Sequence, residues 1–306
     1  MTTILTHSAR FHADDVYAVA TLELLFLKRG EGLPRIVRSR KDDEIQAADI
    51  VVDVGGVYDP EKQRFDHHQG GLDPRANGVP YASFGLVWRK YGTELAERER
   101  IAEMVDITLV QPIDASDNGV DLHEPLIEGV DVYELDDLVG SFVPAYTESD
   151  LDIDRQFRYV VDLAKAHLLR VIGHKKAVEV ARETVEEAYQ GAEDKRLIEL
   201  EYPVPWEEVI LQYSEPLYVV YPVEVDGEEQ WYVRTVPAEK NSFGNRKDLP
   251  EAWGGKEGEA FQEVTGLADA VFCHKARFLA GTRSRESALE LARRAVEAEE
   301  QGEQEE

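Results

Sequence analysis

Residues 48–56 read Ala-Asp-Ile-Val-Val-Asp-Val-Gly-Gly. This is an apolar run of the type that fills a buried strand, closed by an aspartate and two glycines. Upstream, Thr3–Thr6 predicts a short strand and Asp14–Arg29 a helix. In that helix Val16, Val19, Leu22 and Phe26 recur at three- and four-residue steps, and Gly30 stops it. Arg35–Arg38 predicts a second strand and Lys41–Ala48 a short helix. Strands alternating with helices in this order imply a parallel sheet with crossover connections. In such sheets functional groups collect at the carboxyl ends of the strands. His7 follows the first strand and Asp53 closes the third.

Downstream, Tyr81–Tyr91 and Glu94–Val110 predict helices, and Pro112 opens an irregular stretch, 113–119, with the composition of a tight loop. From about Ser149 the pattern is helical again. Phe157, Val161, Ala164, Leu168 and Val171 mark one face, and the helix runs to about Tyr189. Near residue 200 the character changes. Leu217–Val225 and Gln230–Val236 alternate as strands and meet at Asp226-Gly227, a hairpin signal. A loop rich in Asn, Gly and basic residues covers 239–250, and Ala268–Cys273 predicts another strand. Ser284 is an N-cap for a last helix through Ala288, Leu291, Ala292 and Val296. The chain is expected to divide near residue 195 into two α/β domains, 1–195 and 196–298, followed by an acidic tail, 299–306.

Composition narrows the function. The 306 residues hold 34 Lys and Arg against 62 Asp and Glu, a formal charge of −28. A surface this acidic repels phosphate overall, which argues against non-specific duplex binding. It leaves room for a local basic channel or a metal site, and it also fits salt adaptation of the host. One Cys excludes a disulfide framework and a Cys-based zinc module. No apolar run approaches ~18 residues, so no membrane helix is expected. The first residues lack the basic and apolar regions of a signal peptide. A soluble cytoplasmic protein is the expectation.

The chemistry concentrates in His and Asp. One set is His7-Ser-Ala-Arg-Phe-His12-Ala-Asp14-Asp15, and a second is Asp66-His67-His68. Asp53 lies between them, and Asp114 and Asp117 follow. Each residue alone has an ordinary explanation as a cap, a turn former or an exposed imidazole. Together, at the expected sheet edge, they point to a metal site. Imidazole and carboxylate donors without thiolates suit Mn²⁺, Mg²⁺, Fe²⁺ or Zn²⁺, with octahedral Mn²⁺ a natural occupant. Two such ions roughly 3.5–4 Å apart clamp a phosphoryl group and generate a bridging hydroxide.

Asp66-His67-His68, preceded by Asp53 after an apolar strand and by a His-x-Asp motif after the first strand, resembles the DHH phosphoesterase superfamily. Within it, THSARFHADD, DIVVDVGGVYDP, RFDHHQGG and IDASDNG resemble the exonuclease family named for a melanocyte-proliferating gene. WYVRTVP, RKDLPEAWGG and FCHKARFLAGTRSRESAL resemble that family's second domain. The likeness spans about residues 3–296.

The resemblance implies a parallel-sheet DHH-type catalytic domain and a smaller α/β substrate-binding domain. It implies two divalent metals, usually Mn²⁺, and 3′→5′ exonuclease action on single-stranded RNA. His7, His12 and Asp14 would be ligands, Asp53 would bridge both metals, and His67 would be a further ligand. Asp66 would orient His67, and His68 would face the scissile phosphate. The fourth motif would add Asp114 or Asp117. The superfamily commonly has Asp where His12 stands, which bears on metal preference. In the second domain, His274, Lys275 and Arg277 are candidates for phosphate or ribose contacts, with Arg234, Arg246 and Lys247 lining the same cleft. Gly281 would admit a close phosphate, and Phe243 or Phe278 would stack a base. Cys273 reads as a packed small hydrophobe.

Two other readings stay open. One is the same metal chemistry on a small substrate: a nanoRNA, a cyclic dinucleotide or pyrophosphate. The other is a metal-dependent binding protein without turnover. A homodimer is compatible with either.

Overall fold

In a computed structural model the described residues are all but Ser149, Asn241, Phe243 and 299–306. The readings of Phe243 as a base-stacking residue, of Ser149 as a helix start and of 299–306 as an acidic tail lie outside them. The chain forms two compact units, Met1–Lys175 and Lys176–Glu306.

The first unit is built on strands β1 (Thr3–Thr6), β2 (Arg35–Arg38), β3 (Ile50–Val52), β4 (Tyr58–Asp59) and β5 (Arg64–Phe65). They lie in the order β2-β1-β3-β5-β4, all parallel except the β4–β5 edge pair. The chain leaves β1 for β2 on one side and returns to β3 on the other. The carboxyl ends of β1 and β3 therefore flank a topological switch point, the crevice where α/β sheets place ligands. Helix α1 (Ala13–Lys28) crosses over from β1 and is buried from Ala13 to Phe26. It is followed by α2 (Asp42–Ala47), α3 (Ser83–Ala96), α4 (Glu99–Val105), α5 (Gln111–Asp117), α6 (Leu135–Gly140) and the long α7 (Ile153–Gly191), which begins in the first unit and ends in the second. Phe11, Val16, Val19, Leu22, Phe84, Val87, Phe157, Val161 and Leu168 belong to one continuous core.

The expected loop at 113–119 is largely helix. A π turn, Asp106–Val110, joins α4 to α5. Pro112 stands in the first turn of α5, where a helix tolerates a residue without an N–H. Only Asn118 and Gly119 (φ 68°) leave the helix.

The second unit carries β6 (Leu197–Glu199), α8 (Glu207–Ile210), β7 (Tyr218–Val225), β8 (Glu228–Thr235), α9 (Gly258–Thr265), β9 (Ala270–Cys273), β10 (Leu279–Thr282) and α10 (Arg285–Glu297). The sheet order is β6-β7-β8-β10-β9, antiparallel apart from β6–β7. Asp226 and Gly227, both at positive φ, make the two-residue hairpin turn the sequence predicts. The Ser284 hydroxyl accepts from the Ser287 N–H and caps α10. Tyr218, Val220, Trp231, Val233, Ala280 and Cys273 pack one sheet face against α9 and α10. Both units are thus mixed α/β.

Candidate metal centre

Each segment of the first unit delivers its polar group to the same sheet edge for a local reason. His7 is the first residue after β1. Its Nδ1 lies 3.1 Å from the Ser8 carbonyl, so Nδ1–H donates there and Nε2 is left as the ligand atom. Asp53 follows β3 in the left-handed region (φ 55°), which Asp tolerates better than most residues and which turns the chain sharply at the strand end. Its Oδ2 is 3.2 Å from His7 Nε2 and its Oδ1 is 3.3 Å from His67 Nε2. The Ser83 hydroxyl at the start of α3 donates to Asp53 Oδ1 at 3.1 Å. His67 Nε2 also lies 3.1 Å from Asp117 Oδ2.

Among the described residues three overlapping triads bring one donor atom per residue within 4.8 Å of one another: His7, His12 and Asp53; Asp53, His67 and His68; His12, Asp14 and Asp117. Asp53 belongs to two triads and His12 to two. The observation that tests the fit to metal is Asp14. Its carboxylate is 0% exposed, and neither oxygen has a hydrogen-bond partner. A bare buried carboxylate is strongly disfavoured, and a divalent cation is the group that satisfies it. His12 and Asp117 stand ready as co-ligands.

The electrostatics agree. Burial, reinforced by Asp53, Asp117 and Asp15, pushes the Asp14 carboxyl well above the usual range. Burial works the same way on Asp53, but His67 and His7 overcome it and hold Asp53 well below. Burial pulls His67 down, yet Asp117 and Asp53 together raise it to about 10. These imidazoles act as the counter-charges that divalent ions would otherwise be.

Asp66 and His68 form a separate couple. Asp66 Oδ1 is 2.7 Å from His68 Nδ1 and accepts from the His68 N–H at 3.1 Å, while Oδ2 accepts from Gly56 N–H at 2.5 Å. The resemblance implied that Asp66 orients His67; here it orients His68. The His68 side chain is 64% exposed, so its Nε2 is open to a substrate.

Asp114 and Asp117 part company. Asp114 is buried one turn back on α5, 2.8 Å from Arg75 Nη2, and accepts from Gly85 N–H at 3.0 Å. A Cβ on Gly85 would land on the Asp114 carboxylate. Asp114 joins α5 to α3 and to the loop that carries Arg75, and Asp117 is the residue brought to the centre.

Asp15 closes the first His/Asp set of the sequence, which gives it no role of its own. It is fully buried, accepts from the His12 N–H at 2.9 Å and from the Thr6 hydroxyl at 3.3 Å, and lies 3.4 Å from His7 Nε2. The signal for it was a second acid in the first turn of α1.

In the second unit, His274 and Lys275 are exposed. Ala276 N–H donates to His274 Nδ1 at 3.1 Å, which leaves Nε2–H free. The turn is braced from behind. Arg277, in the left-handed region, donates to Asp248 at 2.9 Å; Asp248 accepts from Asn245 at 2.7 Å; Asn245 accepts from Thr235 at 2.7 Å. Arg246 donates to the Pro216 carbonyl, and Lys247 to the Val296 and Ala298 carbonyls at the end of α10. Arg234 pairs with Glu207 at 3.3 Å and lies over the Phe278 ring. Gly281 is overlaid by the rings of Phe272 and Tyr232, so its missing side chain serves packing. Cys273 is buried in the core, as expected. No helix among the described residues is long and apolar enough to cross a membrane.

A family profile described as "Uncharacterised protein family (UPF0160)", the MYG1 exonucleases, matches residues 3–296. The MYG1 exonuclease of Homo sapiens is 32% identical over 94% of this chain and 84% of its own length. The MYG1 protein C694.04c of Schizosaccharomyces pombe is 30% identical over 96% of this chain and 97% of its own. Among solved structures, a pGpG-specific phosphodiesterase from Vibrio cholerae aligns over 97% of both chains at 13% identity and a TM-score of 0.29.

Proposed function

The chain belongs to the UPF0160 family of MYG1 exonucleases and is a phosphoester hydrolase, and we propose that it acts as a two-metal 3′→5′ exonuclease on single-stranded RNA. The observation that carries this reading is the fully buried, unpartnered Asp14 carboxylate facing His12 and Asp117, beside an Asp53 shared by two further triads.

His7, His12, Asp14, Asp53, His67 and Asp117 would hold two divalent ions, with Asp53 between them. Mixed imidazole and carboxylate donors suit Mn²⁺ better than Mg²⁺, which favours oxygen alone. Bound ions supply an activated water and neutralise charge on the phosphoryl group. The chain's own residues do the rest. Ser8 fixes the His7 ring through Nδ1, and Ser83 fixes Asp53. Asp66 holds the His68 ring with Nε2 directed outward, where it donates a hydrogen bond to the phosphoryl group or a proton to the leaving oxygen. In the second unit, His274 Nε2–H, Lys275 and Arg234 are the groups that would contact a phosphate or a ribose.

One observation favours a short oligonucleotide over a long one. Arg246, Lys247 and Arg277 are committed to partners inside the second unit, which leaves few cations for a phosphate track. The test is Mn²⁺-dependent hydrolysis of a 5′-labelled single-stranded RNA, a dinucleotide and pyrophosphate, with Asp53→Ala as control. A ladder shortening from the 3′ end is expected. Cleavage of the dinucleotide or pyrophosphate alone would keep the metal centre and replace the substrate. Unchanged turnover in Asp53→Ala would overturn the mechanism.

A further inference from the structure

The second unit has a sheet face that the metal chemistry does not use. Register places Tyr221, Tyr232, Gly281 and Phe272 in one row across β7, β8, β10 and β9. The adjacent row, Val220, Val233, Ala280 and Cys273, lies in the core under α9 and α10. Side chains alternate across a strand, so the aromatic row is on the opposite face. Tyr221 packs against the apolar cluster near α8, but Tyr232 and Phe272 belong to none of the apolar clusters of the unit and are half-buried. Their rings meet edge to face, 5.7 Å apart at 87°. Gly281 sits beneath them, and a side chain there would collide with the Phe272 ring.

The next row on the same face is Val219, Arg234 and Leu279, continued by His274, whose N–H donates to the Leu279 carbonyl. The His274 ring is 4.4 Å from Phe278, and the Arg234 guanidinium lies 5.6 Å from the centre of that ring. The aromatic row thus runs beside a row that carries one guanidinium, Arg234, and one imidazole, His274. Glu257, bridged to Phe272 at the sheet edge, continues the aromatic row, and Glu207 pairs with Arg234 at 3.3 Å in the second, so acids stand only at the margins of the two rows. Half-buried aromatic rings on a sheet face, with a guanidinium beside them, are the groups with which open sheets hold the bases of a single strand.

We propose that Tyr232 and Phe272 form a base-stacking subsite, so that the second unit recognises the bases of a single-stranded oligonucleotide as well as its phosphates. This rests on the exonuclease reading, and it sets a minimum substrate: a nucleotide chain carrying bases, in place of pyrophosphate or a simple phosphoester. Stacking tolerates any base, so the subsite confers length preference without sequence preference.

The experiment uses the full chain with Asp53→Ala, which binds without cutting, and a ribodinucleotide containing 2-aminopurine. Stacking on a ring quenches the 2-aminopurine fluorescence. The abasic dinucleotide is the reference ligand, bound in competition. The based ligand is expected to bind at least about tenfold more tightly than the abasic one. Tyr232→Leu and Phe272→Leu should each remove about tenfold of that preference and leave abasic binding within twofold, and Tyr232→Phe should restore the quench. Equal affinity for based and abasic ligands overturns the proposal, and this arm needs no variant to fold. Equal losses for both ligands in the Leu variants would also overturn it, because the rings would then serve only the fold. Oligonucleotide cleavage without base preference would retain the exonuclease reading and dismiss the subsite; base-dependent quenching without any turnover would do the reverse.

Discussion

Helix α1 carries three fully buried carboxylates, and two of them, Glu23 and Asp14, have opposite surroundings. Glu23, in its middle, is 0% exposed and meets Arg158 and Lys165 from α7, each at 2.7 Å. Asp14, in its first turn, is equally buried and meets no donor. Burial is therefore not what marks a functional acid here. Glu23 is compensated by the fold and helps to fasten α1 to α7. Asp14 is left for something the fold does not provide, and its neighbours, Asp53, Asp117 and Asp15, raise the need for positive charge.

The sharpest way to break this contrast is kinetic. Asp14→Ala, at the uncompensated end, is expected to lower kcat by more than about a thousandfold, and Glu23→Gln to leave it within about twofold. Comparable losses in both would erase the distinction. Stability should show the reverse ranking. Glu23→Ala strands two cations and should cost about 3–5 kcal/mol in urea unfolding, whereas Asp14→Asn should cost the metal-free chain nothing.

A pH series sharpens the same contrast. In the metal-free fold Asp14 keeps its proton well above the usual carboxylate range. The unfolded chain releases that proton near pH ~4. The folded state then binds more protons than the unfolded state, so stability falls as pH rises from there until Asp14 ionises in the fold. Asp14→Asn should flatten that fall, by up to about 1.4 kcal/mol per pH unit, and added Mn²⁺ should offset it in the parent chain only. A parallel pH dependence in both proteins would count against a bare Asp14. The smallest effect is expected within the compensated pair. Arg158 is more exposed than Lys165; Arg158→Ala should cost about 1 kcal/mol or less, and Lys165→Ala more.

Much of this was legible in the sequence because strand and crossover signals are local. The run at 48–56, the strands at Thr3–Thr6 and Arg35–Arg38 and the helix after Asp14 stand within a few residues of where they were read. His7 and Asp53 follow from that order alone. What stayed hidden depends on neighbours distant in sequence. The short β4 and β5 offer two residues each, too few for a period. Asp114 and Asp117 are equivalent in composition, and only Arg75, brought in from another loop, separates them. Arg246 and Lys247 look like surface cations until the carbonyls of Pro216 and of the end of α10 arrive beside them. The stretch 113–119 has loop composition because its Asp, Ser and Asn side chains have work outside the helix that holds them: Ser116 donates to Glu134, and Asn118 to Tyr81.

The π turn at Asp106–Val110 has a meaning for inheritance as well as for shape. A π turn holds one residue more than the α turn it replaces, and an α-helix rotates by about 100° per residue. Loss of any single codon in that turn would let α4 and α5 fuse into a regular helix and swing everything beyond it by that angle. Asp117 would leave His12, Asp14 and His67, and Asp114 would leave Arg75, although every residue of the candidate centre would still be encoded. The length of the segment thus fixes the candidate centre as much as the identity of its acids does.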